Sequence, residues 1–235
     1  RYHEFFRFEE GCVVEVYIVW DIPELMMQAG VWPMGASLGR EWHIPGPASQ
    51  DGIITEQYDR QKSTNSKSFI IAMLEALSRY PSQGSTEVMQ MEKFWHPCFN
   101  WYGPAGIGTS RGVATFRSWH QFPFLTAMPD RGQYPDQMNL HFLAEQNYVG
   151  ATGWPNVCQT LEADGWLGIV PTGQKITLRS LDFWRLEDGV IRENWVLIDL
   201  LDVWAQLGVN VLSRMGALAS ARPLLSVSDE IEALI

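Results

Sequence analysis

No stretch of eighteen or more apolar residues occurs in the chain, so no segment reads as a membrane-spanning helix. Basic residues are scarce, with 17 Lys and Arg against 27 Asp and Glu and a net charge of -10. That balance excludes the electrostatic footprint of a nucleic-acid-binding surface, and an acidic surface is otherwise mainly a matter of solubility. A basic n-region followed by an apolar h-region is also missing. There are only three cysteines, Cys12, Cys98 and Cys158. They have neither an even count nor metal-ligand spacing, and they read as buried free thiols of a reducing cytoplasm. No His, Asp and Glu cluster has the spacing of a metal site. A Gly-x-Ser-x-Gly elbow is absent too. The glycine-rich stretch Gly103–Gly112 lacks the Lys-Ser/Thr of a phosphate-binding loop and reads as a turn into a helix. Metalloenzyme, serine hydrolase and nucleotide-binding readings are therefore poor.

The chain does carry a repeat. Its first thirty-one residues reappear without gaps 178 positions later, with ten identities. Arg1-Tyr-His-Glu-Phe-Phe-Arg-Phe-Glu-Glu-Gly11 aligns with Arg179-Ser-Leu-Asp-Phe-Trp-Arg-Leu-Glu-Asp-Gly189. Further on, Glu15 falls on Glu193, Asp21 on Asp199, and Gln28-Ala-Gly-Val31 on Gln206-Leu-Gly-Val209. An internal repeat governs the domain reading. The first copy lacks the residues that precede the second, so the chain is expected to hold the end of one domain followed by a complete one. The expected divisions are a remnant at 1–48, a linker at 49–66, a full domain at 67–223 and a tail at 224–235. The linker is read from a polar stretch without apolar periodicity.

Strand patterns at Tyr2–Phe8 and Cys12–Trp20 flank the turn Glu9-Glu10-Gly11, a hairpin signal. A short helix follows Asp21. Within 67–223, a helix is expected from about Ser68 to Pro81, from the spacing of Phe69, Ile70, Met73, Leu74 and Leu77. A second spans about Thr86 to Trp95, then a strand Phe99–Tyr102. A third helix runs from about Gly112 to Gln121, with Phe116, Trp119 and His120 on one stripe before Pro123 stops it. Strands follow at Met138–Val149, Ile176–Leu186 and Val190–Ile198. The predicted class is α+β, with helices on one face of a curved, mostly antiparallel sheet. Alternation puts Ile176, Leu178, Ser180, Asp182 and Trp184 on one strand face. Asp182 is thus a carboxyl among apolar neighbours, and Glu4 holds the same place in the first copy. Burial without a partner raises a carboxyl pKa toward the range of a working acid or base.

Three segments together resemble the SnoaL-like polyketide cyclases of the nuclear transport factor 2-like superfamily. They are Phe94–Thr109, Phe116–Asp130, and Val170–Lys175 continuing into Asp182–Gly189; Glu193-Asn-Trp195, Asp199 and Gln206-Leu-Gly208 fit as well. The resemblance covers roughly 67–215, with the tail of a second such domain at 1–32. It implies a conical α+β barrel around a deep pocket closed by helices. It also implies an intramolecular aldol condensation without metal or organic cofactor, and it places the general acid/base on Asp182. Many relatives carry a His in a Thr-His-x-Gly segment; here that stretch reads Thr160-Leu161-Glu162-Ala163.

Each candidate has a structural reading beside the functional one. Asp182 either works in a pocket, pairs with an Arg such as Arg179 or Arg185, or accepts backbone hydrogen bonds. His120 either reaches the pocket or is a satisfied core histidine, and His141 faces either the cavity or solvent. His96 suits the end of a helix. Asp21 and Asp199 suit helix N-caps, and Glu15 and Glu193 are either solvent-facing or paired within a sheet. Trp101, Tyr102, Tyr148, Trp166 and Trp184 either line a pocket for a ring-bearing ligand or pack in the core. The expected function is cofactor-independent lyase or isomerase chemistry on a small hydrophobic or carbonyl-containing compound, with Asp182, His120 and His141 as the catalytic set. The alternative is a non-catalytic pocket domain. A lone hairpin is marginal in water, so residues 1–32 are expected to pack on the second domain's sheet, to complete a sheet in a homo-oligomer, or to pair with an absent N-terminal half-domain.

Overall fold

The computed structural model describes residues 1–55, 57–80, 85–163 and 166–221. The 224–235 tail and Pro81 lie outside the described residues. Strands β1 (Tyr2–Glu9) and β2 (Cys12–Trp20) form an antiparallel hairpin, followed by helix α1 (Ile22–Gln28). Helix α2 (Arg60–Leu77) comes next, then a 3-10 turn Thr86–Met89 and the short helix α3 (Met91–Phe94). Strands β3 (Trp95–Tyr102) and β4 (Thr109–Arg111) lead into α4 (Gly112–Phe116), a π-turn at Arg117–Gln121, and α5 (Phe122–Ala127). The chain continues through β5 (His141–Glu145), β6 (Tyr148–Thr152), β7 (Val157–Thr160), β8 (Lys175–Leu178), β9 (Ser180–Glu187) and β10 (Val190–Ile198). It ends in α6 (Leu200–Gln206) and α7 (Val211–Ala221). A six-stranded sheet has the order β4-β3-β10-β9-β6-β5, antiparallel except where β10 meets β3. The main core lies between its inner face and the helices. Among the described residues no helix is long and apolar enough to cross a membrane.

Several boundaries differ from the sequence expectation. Helix α2 starts at Arg60, inside the stretch read as a linker, with Asp59 capping it through the Lys62 amide at 3.0 Å. Its buried stripe begins with Ser63 and Ser66 rather than with apolar residues. Ser63 accepts from the Gln146 amide at 2.9 Å and Ser66 donates to the Gln146 carbonyl at 2.8 Å, clamping the β5–β6 turn. Apolar periodicity cannot detect a helix face that is buried through hydrogen bonds. The strand set at Met138–Val149 is instead the hairpin β5–β6. The one set at Ile176–Leu186 breaks at Arg179, so that β8 pairs with β7 while β9 pairs with β6 and β10. Pro123 does not end the helical run; it occupies the first turn of α5, where its missing N–H costs nothing. Cys158 is buried, but Cys12 and Cys98 are exposed, contrary to the expectation for them.

Both copies of the repeat form a hairpin followed by a capped helix. Glu10-Gly11 and Asp188-Gly189 have φ of 49° and 81°, and 51° and 80°, the left-handed pair that a tight hairpin needs. Asp21 accepts from the Glu24 amide and Asp199 from the Asp202 amide, the caps read from sequence. The β1–β2 hairpin lies on the outer face of the large sheet. There residues meet their own counterparts in the repeat: Phe5 stacks on Phe183 at 4.9 Å, His3 Nδ1 bonds the Leu181 carbonyl at 2.7 Å, and Val19 shares a buried cluster with Leu197. This is the contact pattern of an isologous interface. Gly150 makes room for it, since a Cβ there would stand 2.9 Å from the Phe5 ring. An offset aromatic stack contributes about 1 kcal/mol beyond area burial. Phe5→Ala is therefore expected to loosen the hairpin and speed proteolysis within residues 1–31; cleavage at the wild-type rate would contradict this anchor.

Candidate active site

The carboxyl predicted from strand alternation stands in a cavity between the sheet and the helices. On β9, Ser180, Asp182 and Trp184 face inward, continuing the stripe of Leu178 across the break at Arg179, and from β10 Asn194, Val196 and Ile198 face the same space. Helix α2, the π-turn and α5 close the other side with Met73, Leu77, His120, Gln121 and Phe124. The cavity measures about 170 Å³. A larger groove of about 780 Å³ lies on the surface between residues 51–69 and the β9–β10 turn. It is lined mostly by polar side chains, so the largely apolar cavity is the better site.

Among the described residues Asp182 makes one hydrogen bond, accepting from Ser180 Oγ at 2.8 Å. Asn156 fixes that serine, donating to its Oγ at 2.8 Å and to its carbonyl at 2.7 Å, and accepting from its amide at 2.9 Å. Asp182 pairs with neither Arg179 nor Arg185, which serve other carboxylates. Burial pushes the Asp182 carboxyl up to about 7, against the opposing pull of Ser180 and the Arg131 charge. Its counterpart Glu4 alternates with the exposed Tyr2 and Phe6 on the hairpin's outward face, so the two repeated carboxyls have different surroundings.

His120 lies in the π-turn, a local widening that often marks functional positions. Its ring stacks on Trp101 at 4.1 Å, meets Phe116 edge-on at 5.2 Å and lies tilted to Phe124 at 5.5 Å. Burial holds its pKa down at about 3, with Arg131 adding to the effect, so the imidazole is neutral. Its buried Nδ1 has no hydrogen-bond partner among the described residues. The second histidine of the expected set is elsewhere: His141 is exposed at the start of β5 and does not line the cavity.

Of the aromatic candidates, Trp101 and Trp184 line the cavity. Trp166 is fully buried against Phe124 at 5.7 Å and is core. Tyr148 points away, its hydroxyl donating to Asp51 beside the surface groove. Glu193 is paired within the sheet, as one of its two readings had it, with Arg185 Nε at 2.5 Å. The sequence reading missed Asn156, Gln121, Asn194 and Arg131. Asn194 was accessible from strand alternation; Arg131, in an irregular loop after α5, leaves no periodic signal. No three His, Cys, Asp or Glu converge as a metal site among the described residues.

A curved, mostly antiparallel sheet closed by helices over a pocket defines a nuclear transport factor 2-like α+β cone. The model of the SnoaL-like polyketide cyclase family matches residues 76–207, and the chain belongs to that family. A SnoaL-like protein of Jannaschia sp. CCS1 shares 16% identity at a TM-score of 0.51, over 64% of this chain and 96% of that one. AclR of Streptomyces galilaeus shares 21% identity at a TM-score of 0.48, over 62% and 97%. TsrD of Streptomyces laurentii shares 20% at 0.46, over 65% and 98%. No curated protein matches.

Proposed function

We propose that the cavity performs cofactor-independent lyase or isomerase chemistry of the aldol type on a small carbonyl compound, with Asp182 as general acid/base. The observation that carries this reading is a carboxyl held by a single serine donor in a largely apolar cavity, facing the same space as a neutral imidazole. As carboxylate, Asp182 takes a proton from the carbon beside a carbonyl. His120, with its hydrogen on Nδ1, donates to that carbonyl oxygen as enolate charge builds up. The enolate carbon then attacks a second carbonyl of the same molecule. The alkoxide formed recovers the proton from Asp182, so the cycle needs no other reactant.

The test is hydron exchange of 1-phenylpropan-2-one in deuterated buffer, followed by proton NMR. Exchange is expected to exceed the buffer rate and to rise with pH, reaching half its plateau near the Asp182 value of about 7. His120 adds no further step above pH 4, because its value is about 3. Binding of the ketone without faster exchange at any pH would instead select a non-catalytic pocket. The second reading has one specific support: Leu161 stands where many relatives have an imidazole.

A further inference from the structure

Arg131 lines the same cavity and makes no contact ion pair among the described residues, although the Asp182 charge acts on it. Its guanidinium lies over the Phe124 ring at 5.3 Å. Among the described residues it has no ion pair within 4.0 Å and no hydrogen bond. Asp182, the one carboxyl among the described residues that line the cavity, is hydrogen-bonded to Ser180 and makes no such pair.

The backbone on either side of Arg131 is fixed. Asp130 is buried and accepts from the Thr160 amide at 2.9 Å. Gly132, at φ 82°, packs so closely on Ser78 that a Cβ would stand 2.7 Å from that side chain. The cation is therefore positioned before any ligand arrives, which lowers the ordering cost of binding.

The polar balance of the lining points the same way. Besides the five guanidinium N–H groups, the buried indole Nε1 donors of Trp95 and Trp184 lack acceptors among the described residues. Donors thus outnumber the acceptor atoms left unused among the described residues of the lining, which are Gln121 Oε1, Asp182 Oδ1 and Asn194 Oδ1. The Arg131 side chain is half-buried, and an anionic ligand there gains charge-assisted, bidentate hydrogen bonds. Size narrows the choice. An apolar cavity of roughly 150 Å³ takes benzene, so a cavity of about 170 Å³ takes one ring with a small substituent.

We infer that Arg131 is an anion-binding residue and that the cavity's ligand is a single-ring compound bearing a carboxylate or a comparably acidic oxygen. This rests on the cavity being the ligand site, as proposed above, but not on its chemistry.

The test compares benzoate with benzamide, which share a shape and differ in charge, by following the tryptophan indole resonances of the full chain. Benzoate is expected to bind about tenfold or more tightly than benzamide, as a charge-assisted pair requires. Arg131→Gln should bring the two within about twofold of each other, while Arg131→Lys keeps a clear preference for benzoate. Because the ratio is taken within each variant, a general weakening of the cavity cancels. Equal binding by the wild type, a preference surviving in Arg131→Gln, or no binding of either at millimolar concentration overturns the inference. Asp182→Asn should retain the benzoate preference. In the wild type, a benzoate preference without ketone exchange would reject the acid/base chemistry alone; fast exchange with equal binding would reject the anion site alone.

Discussion

Asp182→Asn is expected to lower turnover of any carbonyl substrate by about 10²–10⁴-fold, the usual contribution of a positioned acid/base group. The fold should persist, because an Asn oxygen still accepts from Ser180 Oγ, now 2.8 Å from the carboxylate. The variant should also be more stable than the wild type at pH 8, and the sign follows from linkage. The folded-state value of about 7 lies above the ordinary 3.8. Between those values the folded protein keeps a proton that the unfolded chain has released, so stability falls as pH rises from about 4 to 7 and then levels off. Asn carries no such penalty. Thermal melts of the two proteins should therefore converge toward pH 4 and separate toward pH 8. Full turnover by the variant, or a melting difference independent of pH, would remove Asp182 from the chemistry.

Glu193→Ala is expected to be strongly destabilising. Glu193 is 1% exposed and accepts from Arg185 Nε at 2.5 Å and from the Ala48 amide at 3.0 Å. Truncation leaves Arg185, itself 2% exposed, with only the partly solvated Glu187. Removing one partner of a buried ion pair costs about 3–5 kcal/mol. At about 2–4 °C per kcal/mol for a chain of this size, the melting temperature should fall by roughly 6–20 °C. The repeat supplies an internal control. Glu15 pairs with Arg7 Nε at 2.8 Å across the equivalent hairpin, but on the surface, with side chains 40% and 54% exposed. An exposed pair contributes about 0–1 kcal/mol, so Glu15→Ala should shift the melt by no more than a few degrees. Equal effects at the two positions would mean that burial does not separate them.

That comparison marks the boundary between what could be read from the chain and what could not. The α+β class, the hairpins with their acidic-glycine turns, the N-caps at Asp21 and Asp199 and the inward face carrying Asp182 follow from local rules. Strand alternation, turn residues and capping side chains act over a few positions and are written directly in the sequence. The start of α2 was illegible because Ser63 and Ser66 are buried through bonds to Gln146, about eighty positions away. His120 and His141 had comparable standing in the sequence, and only packing put one against Trp101 and the other in solvent. Trp166 and Trp184 divided in the same way between core and cavity.

By itself, then, the sequence determined the repeat, the family resemblance and the strand face on which a carboxyl sits, since these depend on residue identity and short spacing. Tertiary structure alone decided which member of each repeated pair is desolvated. Arg185–Glu193 is covered by Ala48 and Tyr102, and Asp182 by the helices closing the cavity, whereas Arg7–Glu15 is exposed near the hairpin's turn and Glu4 lies on its outward face. The strength of a charge interaction depends on its surrounding dielectric, and that surrounding is supplied by residues far away along the chain.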